Sequence, residues 1–449
     1  MNNEMKNNNS QSAKFSPFGG GRGGSAYVII DMGSSRISVM AVEMLENGGV
    51  RILSEESKKS DKIKYGIVEQ PSMCAFIINE LTRLLQNSAR LNEINKLCVS
   101  LNAKTMKHFH VRINRSLGFG KPVTEEILSG MLAECEEKFN QPGVEVFDTI
   151  PRYYELDGIK TNHPVEKKGS ELSAFYNVII GNSSIKEELE RCFERVKDIS
   201  THEFMPLGVE ALSTAVLDEE EKEAGCALIN FGATTTTLAV YSDGVLQQLL
   251  VVPLGGKNIT KDIQELGISE ANAEKLKTLK GSALRHLVEQ SIRVQIPPAE
   301  AGSQPVTIET DFLATIIEAR LSEIMTPILK AIDETHFNLK AGIVITGGGA
   351  KLNNIVDFLE EKTGMEVRYG DHSDWLSECT HKRFEDPIYA QQIGCAVLLH
   401  EYEKENKIEE QELAEPKKQK KSNWLGLGKW REKIKQPVLK LFEDENYLK

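Results

Sequence analysis

The chain has 449 residues, of which 40% are hydrophobic, and a formal net charge of -12. This length predicts two to four domains with ample core, and the acidic balance argues against general nucleic-acid binding. Seven cysteines without a CxxC spacing are typical of reduced, mostly buried thiols in a soluble cytoplasmic protein. No apolar run approaches the length of a membrane span, and no secretory signal is visible.

A phosphate-binding hairpin is predicted near the start of the chain. Residues 1–24 are rich in Asn, Ser and Gly and should be disordered. Residues 26–43 then form an apolar strand that ends near Asp31, a turn at residues 33–35 with one glycine and two serines, and a second apolar strand. Glycine and small hydroxyl residues let several backbone N–H groups converge on an anion, so this turn can bind a phosphate.

A small α+β unit is predicted over residues 91–158. Its strands are expected at residues 96–101, 107–113, 144–150 and 152–156, with a helix that opens at Thr124. Residues 172–180 are expected to form a further strand that rejoins the domain begun by the first hairpin. Helices follow at residues 185–196 and 206–217, the first of them clearly amphipathic.

A second hairpin at residues 225–241 repeats the order of the first, with Asn230 in place of the acid. An amide can hold a metal-bound water through its carbonyl, but it carries no negative charge and cannot accept a proton from water. Hydrolysis of a bound nucleotide is therefore expected to be slow; the alternative is that Asn230 is an ordinary turn residue. The apolar strand at residues 341–346 ends in a triple glycine that opens a helix and offers bare backbone to a base or ribose.

These three motifs, in this order and spacing, resemble those of the superfamily that contains actin, sugar kinases and heat-shock chaperones. The resemblance covers residues 25–400, and the chain is most similar to the FtsA family of bacterial cell-division proteins. It implies an α/β, actin-like two-lobed fold of duplicated ribonuclease H-like domains with an inserted small α+β subdomain. It also implies that ATP and Mg2+ bind between the lobes.

The resemblance implies a role for each motif. The metal is expected at Asp31 and, through water, at Asn230, and the phosphates at Gly33, Ser34, Ser35, Arg36, Gly232, Ala233, Thr234 and Thr235. Ribose and adenine are expected at Glu274, Lys277, Gly347, Gly348, Gly349 and Lys351. A solvated helix face is the alternative for Glu274 and Lys277. Glu210, on a helix that crosses between the lobes, is expected to orient a hydrolytic water; the alternative is a surface glutamate.

The resemblance also divides the chain into subdomains. The first lobe (1A) takes residues 25–90 and 159–220, the inserted subdomain (1C) 91–158, the second lobe (2A) 221–256 and 341–400, and the peripheral subdomain (2B) 257–340. Subdomain 1C is expected to contact later division proteins and neighbouring copies in filaments. In 2B, a helix over residues 311–330 should bury Phe312 and present Arg320 to the tail of the tubulin homologue FtsZ; an unpartnered surface arginine is the alternative.

The end of the chain is predicted to be a membrane anchor. Residues 401–422 form a charged, flexible linker without apolar periodicity. An amphipathic helix follows at residues 423–442, with Trp424, Leu427, Trp430, Ile434, Leu441, Phe442, Lys429 and Lys433 as its membrane contacts. Indoles at headgroup depth and lysines facing anionic lipid are typical of such a helix; a partner-binding basic helix is the alternative.

The expected function is that of a peripheral protein on the cytoplasmic face of the inner membrane at the division site. It would bind ATP, polymerise, tether FtsZ filaments to the membrane and recruit later division proteins, with at most weak ATPase activity. One alternative is an actin-fold small-molecule kinase, which would need a catalytic carboxylate in the cleft. The other is a scaffold of a pilus or secretion machine, whose members normally lack a basic, Trp-containing tail.

Overall fold

The computed structural model describes residues 26–91, 96–197, 203–299 and 304–412. The predicted N-terminal tail, residues 413–422 of the predicted linker and the predicted membrane helix lie outside the described residues. Within the described ranges no helix is both long and apolar enough to cross a bilayer. Six of the seven cysteines are buried and all seven are free thiols, which confirms the prediction of mostly buried, reduced cysteines.

The first half of the chain forms the first lobe and the insert within it. Its elements are β1 (Tyr27–Met32), β2 (Arg36–Met44), β3 (Val50–Lys59), β4 (Ile63–Lys64), β5 (Ile67–Val68), α1 (Pro71–Ala89), β6 (Leu97–Val99), β7 (Lys107–Pro122), α2 (Glu125–Glu137), β8 (Val144–Leu156), β9 (Ile159–Thr161), β10 (Lys168–Asn182), α3 (Ser184–Phe193), β11 (Glu203–Phe204), α4 (Gly208–Val216) and α5 (Glu219–Ala224).

The first lobe is built on a five-stranded sheet with the order β11-β6-β1-β2-β3. Strand β1 is antiparallel to β2 and parallel to β6. Because side chains alternate across a strand, Val28 and Ile30 of β1 pack in the core that contains α1 and α3, whereas Tyr27 and Ile29 pack in a second core on the opposite face.

The inserted subdomain is an antiparallel sheet with the order β7-β10-β8-β9, and α2 covers one of its faces. Strand β10 pairs with β7 on one side and β8 on the other, and its side chains from Leu172 to Val178 alternate into the core shared with α2. Strand β6 instead belongs to the first-lobe sheet. The insert therefore runs from β7 to β10. The predicted limit at residue 91 is wrong because β6 pairs within the first-lobe sheet, and the limit at residue 158 is wrong because the long strand β10 pairs with β7 and β8.

The second half of the chain forms the second lobe and the closing helix. Its elements are β12 (Cys226–Phe231), β13 (Thr236–Ser242), β14 (Val245–Val252), α6 (Gly256–Gln264), α7 (Glu270–Lys280), β15 (Arg293–Ile296), β16 (Val306–Glu309), α8 (Thr310–Asp333), β17 (Ile343–Thr346), α9 (Ile355–Thr363), β18 (Val367–Tyr369) and α10 (Ala390–Glu412), with short 3-10 turns at Arg285–Leu287, Gly348–Lys351, Ser373–Trp375, Lys382–Glu385 and Pro387–Tyr389.

The second lobe repeats the first-lobe plan, with the sheet order β14-β13-β12-β17-β18. Helices α6, α7, α8 and α9 share one core with a face of this sheet. The inner face of α8 is centred on Leu313, Ile317 and Leu321, which are fully buried. Phe312 is 52% exposed, so its predicted burial is wrong: it lies one residue, about 100°, from the centre of the apolar stripe.

Helix α10 packs on the first lobe rather than the second, which corrects the predicted assignment of residues up to 400 to subdomain 2A. It covers the sheet face opposite α1 and crosses α4 so closely that a Cβ on Gly394 would lie 1.7 Å from the carbonyl oxygen of Ala211. It also continues to Glu412, where a flexible linker was predicted from residue 401. Glu403 anchors the extension, since it accepts a hydrogen bond from the Tyr27 hydroxyl at 2.9 Å and pairs with Lys96.

Candidate nucleotide site between the lobes

The first predicted phosphate turn is a tight connection between β1 and β2. Met32 pairs with Ile37, which leaves residues 33–36 to make the turn. A Cβ added to Gly33 would lie only 3.0 Å from the carbonyl oxygen of Arg36. The backbone therefore approaches itself too closely for a larger residue to fit easily, and Ser34 lies at the centre of the bend.

The second hairpin has the same construction. Phe231 pairs with Thr236, so residues 232–235 make a turn of equal length. The Gly232 N–H donates to the carbonyl oxygen of Thr235 at 2.9 Å, and a Cβ on Gly232 would lie 2.8 Å from that oxygen. Residues that are about two hundred positions apart in sequence therefore build matching turns.

The two turns contact each other across the gap between the lobes. The Thr234 hydroxyl donates to the Ser34 hydroxyl at 2.8 Å, and it accepts from the Tyr65 N–H at 3.1 Å. The ammonium group of Lys257 donates to the Ser34 carbonyl oxygen at 2.6 Å. Two hydroxyl groups, the backbones of two tight turns and a cation thus converge at one point. This set of groups suits phosphate oxygens.

Asp31 lies beside this point, at the end of β1. Burial raises the pKa of its carboxyl from 3.8 to about 6, and the nearby Arg36 only partly opposes that rise. Asp31 also lines a cavity together with Ser100, Asn102 and Gln391. Among these, Gln391 donates to Ser100 at 2.5 Å and accepts from Asn102 at 3.3 Å.

Sequence reasoning missed these three cavity residues and Lys257. Ser100 and Asn102 follow β6, and Gln391 is in the first turn of α10. Gln391 belongs to the segment that resembles the family's closing helix, but its sequence pattern does not show that this helix reaches the cavity. Lys257 directly follows the Gly-Gly pair after the third strand of the second lobe. That position next to two glycines was the one feature of the sequence that could have identified it.

A Mg2+ ion at Asp31 would be bound mainly by oxygen atoms from outside the protein. Within the described residues there is no group of three or more His, Cys, Asp or Glu side chains that could form a protein cage for a metal. A single carboxylate next to phosphate-binding turns fits Mg2+, which commonly keeps several waters and takes phosphate oxygens as ligands. The residues present therefore fit a Mg2+ nucleotide, in which the metal would neutralise phosphate charge.

Arg36 lies at the start of β2 with its side chain against the segment before α10, and its expected contact with phosphate stays a prediction. Its guanidinium group lies 5.0 Å from the centre of the Tyr389 ring and makes a long contact of 3.5 Å with the Ile388 carbonyl oxygen. The cation is held by the segment just before α10. A stacked aromatic face and a carbonyl satisfy the arginine there.

Glu210 is buried, so the alternative of a surface glutamate is wrong, and its expected role beside a hydrolytic water stays a prediction. It lies on α4 and is only 4% exposed. Burial raises the pKa of the Cys98 thiol, and a contact with Cys395 and the charge of Glu210 add to that rise, so Glu210 lies near the packing between α10 and the first-lobe sheet. It is not among the residues that line the cavity containing Asp31.

Glu274 and Lys277 form the expected pair, one turn apart on α7, with 2.7 Å between Glu274 Oε2 and Lys277 Nζ. Lys277 also donates to the Gly256 carbonyl oxygen at 3.0 Å and to Thr260 at 2.8 Å, which joins α7 to the start of α6. Burial opposes ionisation of Glu274, but Lys277 and Thr260 outweigh it and hold the pKa of the carboxyl below its usual range. Burial lowers the pKa of Lys277 despite this partner.

The triple glycine lies against the second hairpin. Gly347 has φ +90°, and a Cβ on it would lie 2.4 Å from the Asn230 side-chain oxygen. A Cβ on Gly349 would lie 2.4 Å from the Phe231 ring, so packing alone requires glycine at both positions. The predicted helix is only a 3-10 turn at Gly348–Lys351, and Lys351 pairs with Asp386.

Arg320 is engaged within its own subdomain. Its guanidinium group forms a two-pronged pair with Asp262 of α6, with one distance of 2.8 Å, and it also contacts Glu323 at 2.5 Å. The Asp262 carboxylate raises the pKa of Arg320 further. Arg320 therefore already has two acidic partners, and the structure does not present it as an open site for an acidic tail.

The family model and the curated proteins that this chain resembles carry the same description. A family model described as "Cell division protein FtsA" matches residues 227–394. The cell division protein FtsA of Enterococcus faecalis is 28% identical and the alignment covers 82% of each chain. FtsA of Borreliella burgdorferi is 25% identical over 88% of this chain and 96% of its own, and FtsA of Escherichia coli K12 is 25% identical over 84% and 90%.

Solved structures share the fold at much lower identity. The PilM-PilN type IV pilus biogenesis complex has a TM-score of 0.59 with 14% identity, over 84% of this chain and 99% of its own. MreB5 of Spiroplasma citri bound to ADP has a TM-score of 0.53 with 12% identity, over 87% and 99%. The predicted actin-like, two-lobed α/β fold is confirmed.

Proposed function

The chain belongs to the FtsA family of cell-division proteins, and we propose that it binds ATP with Mg2+ between its lobes and links division filaments to the membrane. The observation that carries the nucleotide site is the contact between Thr234 and Ser34, which brings the two phosphate turns together from opposite lobes. Asp31 supplies the single carboxylate for the metal. Asn230 supplies an amide at the equivalent position of the second lobe and cannot act as a base, so hydrolysis is slow.

Titration of the full chain with a fluorescent ATP analogue tests this site. We expect saturable binding that weakens when Mg2+ is removed and that unlabelled ATP competes away. Absence of saturable binding in the presence of Mg2+ would overturn the proposed nucleotide site. Slow release of phosphate is expected from the same preparation, and turnover at the rates of metabolic kinases would contradict the role of Asn230.

The proposed membrane contact is the basic, Trp-containing segment at residues 423–442. Helix α10 is described as far as Glu412, and a chain of ten residues reaches at most about 35 Å when fully extended. One amphipathic segment with a few lysines binds anionic lipid reversibly, at roughly 1 kcal/mol per lysine near the surface. A filament that carries many such segments would stay bound through its high effective concentration.

Sedimentation with vesicles tests the tether. The full chain is expected to pellet with vesicles of phosphatidylglycerol and phosphatidylethanolamine, whereas a chain that ends at Glu415 stays in the supernatant. Vesicles of phosphatidylcholine alone serve as the uncharged control. Equal pelleting of both chains would reject the tether and would favour a scaffold role without membrane attachment.

The proposed contact with the FtsZ tail is an exposed apolar surface on subdomain 2B, here called the α8 patch, formed by Leu287, Ile292 and Phe312. These side chains are 37%, 41% and 52% exposed. Ile292 is held to Thr310, at the start of α8, by two hydrogen bonds of 3.0 and 3.1 Å. Exposed apolar side chains that adjoin one another mark a partner surface.

Two arginines flank the α8 patch and suit an acidic peptide. Arg285 lies 3.6 Å from Asp311, and Arg293 pairs with Glu309 at 2.9 Å, but their side chains are 61% and 78% exposed. Such exposed pairs are weak, so a peptide carboxylate can compete for the guanidinium groups. This surface replaces Arg320 as the proposed site because both of its cations remain open to solvent.

Fluorescence anisotropy with a labelled FtsZ C-terminal peptide tests the α8 patch. Phe312→Ala is expected to weaken binding about tenfold, which corresponds to ~1.4 kcal/mol. Phe119→Ala is the matched control, because Phe119 is a fully exposed phenylalanine in the insert. Unchanged affinity in Phe312→Ala would place the peptide elsewhere.

The insert offers a second exposed surface, which we assign to contacts between copies of the chain. Phe119 is 99% exposed and lies between Gly118 and Gly120, both with positive φ, where β7 bulges away from β10. The two glycines fit the left-handed backbone that projects the ring into solvent. Phe119→Ser is expected to reduce ATP-dependent pelleting of polymers while Phe312→Ala leaves it unchanged; the opposite pattern would contradict this assignment.

A further inference from the structure

Lys257 connects the two phosphate turns and has no assigned role. Its backbone N–H donates to the Ala233 carbonyl oxygen of the second turn at 2.8 Å. Its side-chain ammonium donates to the Ser34 carbonyl oxygen of the first turn at 2.6 Å. One residue in the first turn of α6 thus touches both lobes at the point where they meet.

The charge of Lys257 is poorly compensated. Among the described residues, no carboxylate lies within salt-bridge distance of its ammonium group, and its hydrogen-bond partner is a neutral carbonyl. The charge of Lys257 acts on the exposed Asp61, but the pKa of that carboxyl is lowered mainly by Lys62 and least by Lys257. Lys277, by contrast, has a carboxylate partner at 2.7 Å. A half-buried ammonium group held by a carbonyl would gain energy by binding an anionic oxygen.

We infer that Lys257 binds the terminal phosphate of the bound nucleotide and thereby distinguishes a triphosphate from a diphosphate. This inference rests on the proposed nucleotide site. The base and ribose are proposed to lie at the glycine turn and α7 of the second lobe, so the phosphate chain extends from there toward the paired turns. The last phosphate then reaches the place where Ser34, Thr234 and Lys257 converge. There the ammonium group donates to a phosphate oxygen instead of the Ser34 carbonyl oxygen.

The exchange links nucleotide state to lobe contact. When the ammonium group donates to the Ser34 carbonyl oxygen, the lobes are joined by a bond between two neutral hydroxyls and by one bond in which only the donor is charged. When it is on a phosphate that also accepts from Ser34 and Thr234, the same lobes are held through charge-assisted bonds, which are about twice as strong. A diphosphate lacks the group that reaches Lys257, so it leaves the lobe contact unchanged.

Matched lysine substitutions on α6 test this role. The affinities of the full chain for ATP and ADP are measured with Mg2+ for Lys257→Met and for Lys261→Met, an exposed lysine one turn further along the same helix. Lys257→Met is expected to weaken ATP binding about tenfold and ADP binding less than about threefold, in keeping with the loss of one charge-assisted hydrogen bond. Lys261→Met should bind both nucleotides as the original chain does.

The outcomes separate the inference from its premise. If the original chain does not bind ATP, the proposed nucleotide site is wrong. If it binds ATP and Lys257→Met changes the two affinities equally or not at all, only the role of Lys257 is wrong. Thermal unfolding checks that each variant is folded; if Lys257→Met is not, Lys257→Arg must keep the preference for ATP, because it retains the charge, and Lys257→Gln must lose it.

Discussion

The two phosphate hairpins have the same backbone and different chemistry. In the first, Asp31 pairs with Ser38, and in the second, Asn230 pairs with Thr237, so the acid and the amide occupy equivalent positions before turns of equal length. Asp31 is desolvated, which makes its negative charge costly, whereas Asn230 carries no charge. The two lobes therefore share the backbone geometry of the proposed phosphate turns, and the carboxylate that we propose for the metal lies in the first lobe.

The surroundings of the hairpins differ as well. Behind the first, the Ser38 hydroxyl donates to Gln392 of α10 at 3.0 Å, so the closing helix supports the strand pair that carries Asp31. Behind the second, the glycine turn at Gly347 lies against Asn230. The first hairpin depends on a helix from the far end of the chain, and the second depends on a neighbouring strand.

Nucleotide binding should respond most strongly when the two hairpins are made alike. Asp31→Asn removes the carboxylate that we propose for the metal and should weaken binding of Mg2+-ATP about 100-fold, or about 2.7 kcal/mol. The effect should vanish when ATP is titrated without Mg2+. Asp61→Asn, an exposed carboxylate in a nearby loop, is the control for a general loss of charge. Undiminished Mg2+ dependence in Asp31→Asn, measured by calorimetry, would show that the metal binds elsewhere.

The reverse change introduces a carboxylate into the second hairpin. Asn230→Asp gives both hairpins a carboxylate and a group that can accept a proton, so phosphate release from bound ATP should accelerate about tenfold or more. Asn230→Ala removes the amide without adding an acid and should be no faster than the original chain. A single-turnover assay follows the chemical step. Equal rates in all three chains would mean that this position does not contact the reacting water.

The pH dependence of the first hairpin should give the larger of two effects on stability. The folded pKa of Asp31 lies at about 6, above the ordinary 3.8, so the folded chain binds this proton more tightly than the unfolded chain. The stability contribution of Asp31 is therefore fully present below pH 3.8 and is lost as the pH rises through about 6. At pH 7 the ionised carboxylate lowers the free energy of unfolding by up to about 3 kcal/mol, and Asp31→Asn should recover that loss because an amide does not ionise.

Two measurements check this sign. The difference in unfolding free energy between Asp31→Asn and the original chain should grow in favour of the variant from pH 4 to pH 7. Affinity for Mg2+-ATP should fall in the original chain as the pH drops below about 6, since the protonated carboxyl is a poor metal ligand. A stability difference that does not change with pH would contradict the desolvation of Asp31.

The smaller effect on stability concerns the turns themselves. Gly232→Ala places a methyl group 2.8 Å from a backbone oxygen, and Gly33→Ala places one at 3.0 Å. Crowding of this kind typically costs 1–3 kcal/mol, so Gly232→Ala should lower the free energy of unfolding by roughly 2 kcal/mol and Gly33→Ala by less. Gly348→Ala, whose nearest neighbour would be 3.7 Å away, is the control and should stay within about 0.5 kcal/mol. Urea denaturation measures all three, and a reversed order would refute the crowding argument.

Features that depend on neighbours in sequence could be predicted. Strands on either side of Asp31 and Asn230, the turns between them and the pair Glu274–Lys277 are local, because alternation of apolar residues, glycine positions and one-turn spacing carry the necessary information. The superfamily fold followed from the order of the motifs. The position of Phe312 was missed although its helix was found, since periodicity defines a buried face only to within about one residue.

Short runs of residues specify the two hairpins, the glycine turn and the acid-to-amide difference between the lobes, so the amino-acid pattern was enough to predict them. Four features became visible only in the folded chain: α10 covers the first lobe, β10 belongs to the insert, Arg36 and Arg320 have partners, and Lys257 contacts Ser34. Those contacts join residues far apart in the chain. Their partners are selected by packing and by the pairing of charges and hydrogen-bonding groups in the folded molecule, and no local pattern encodes that selection.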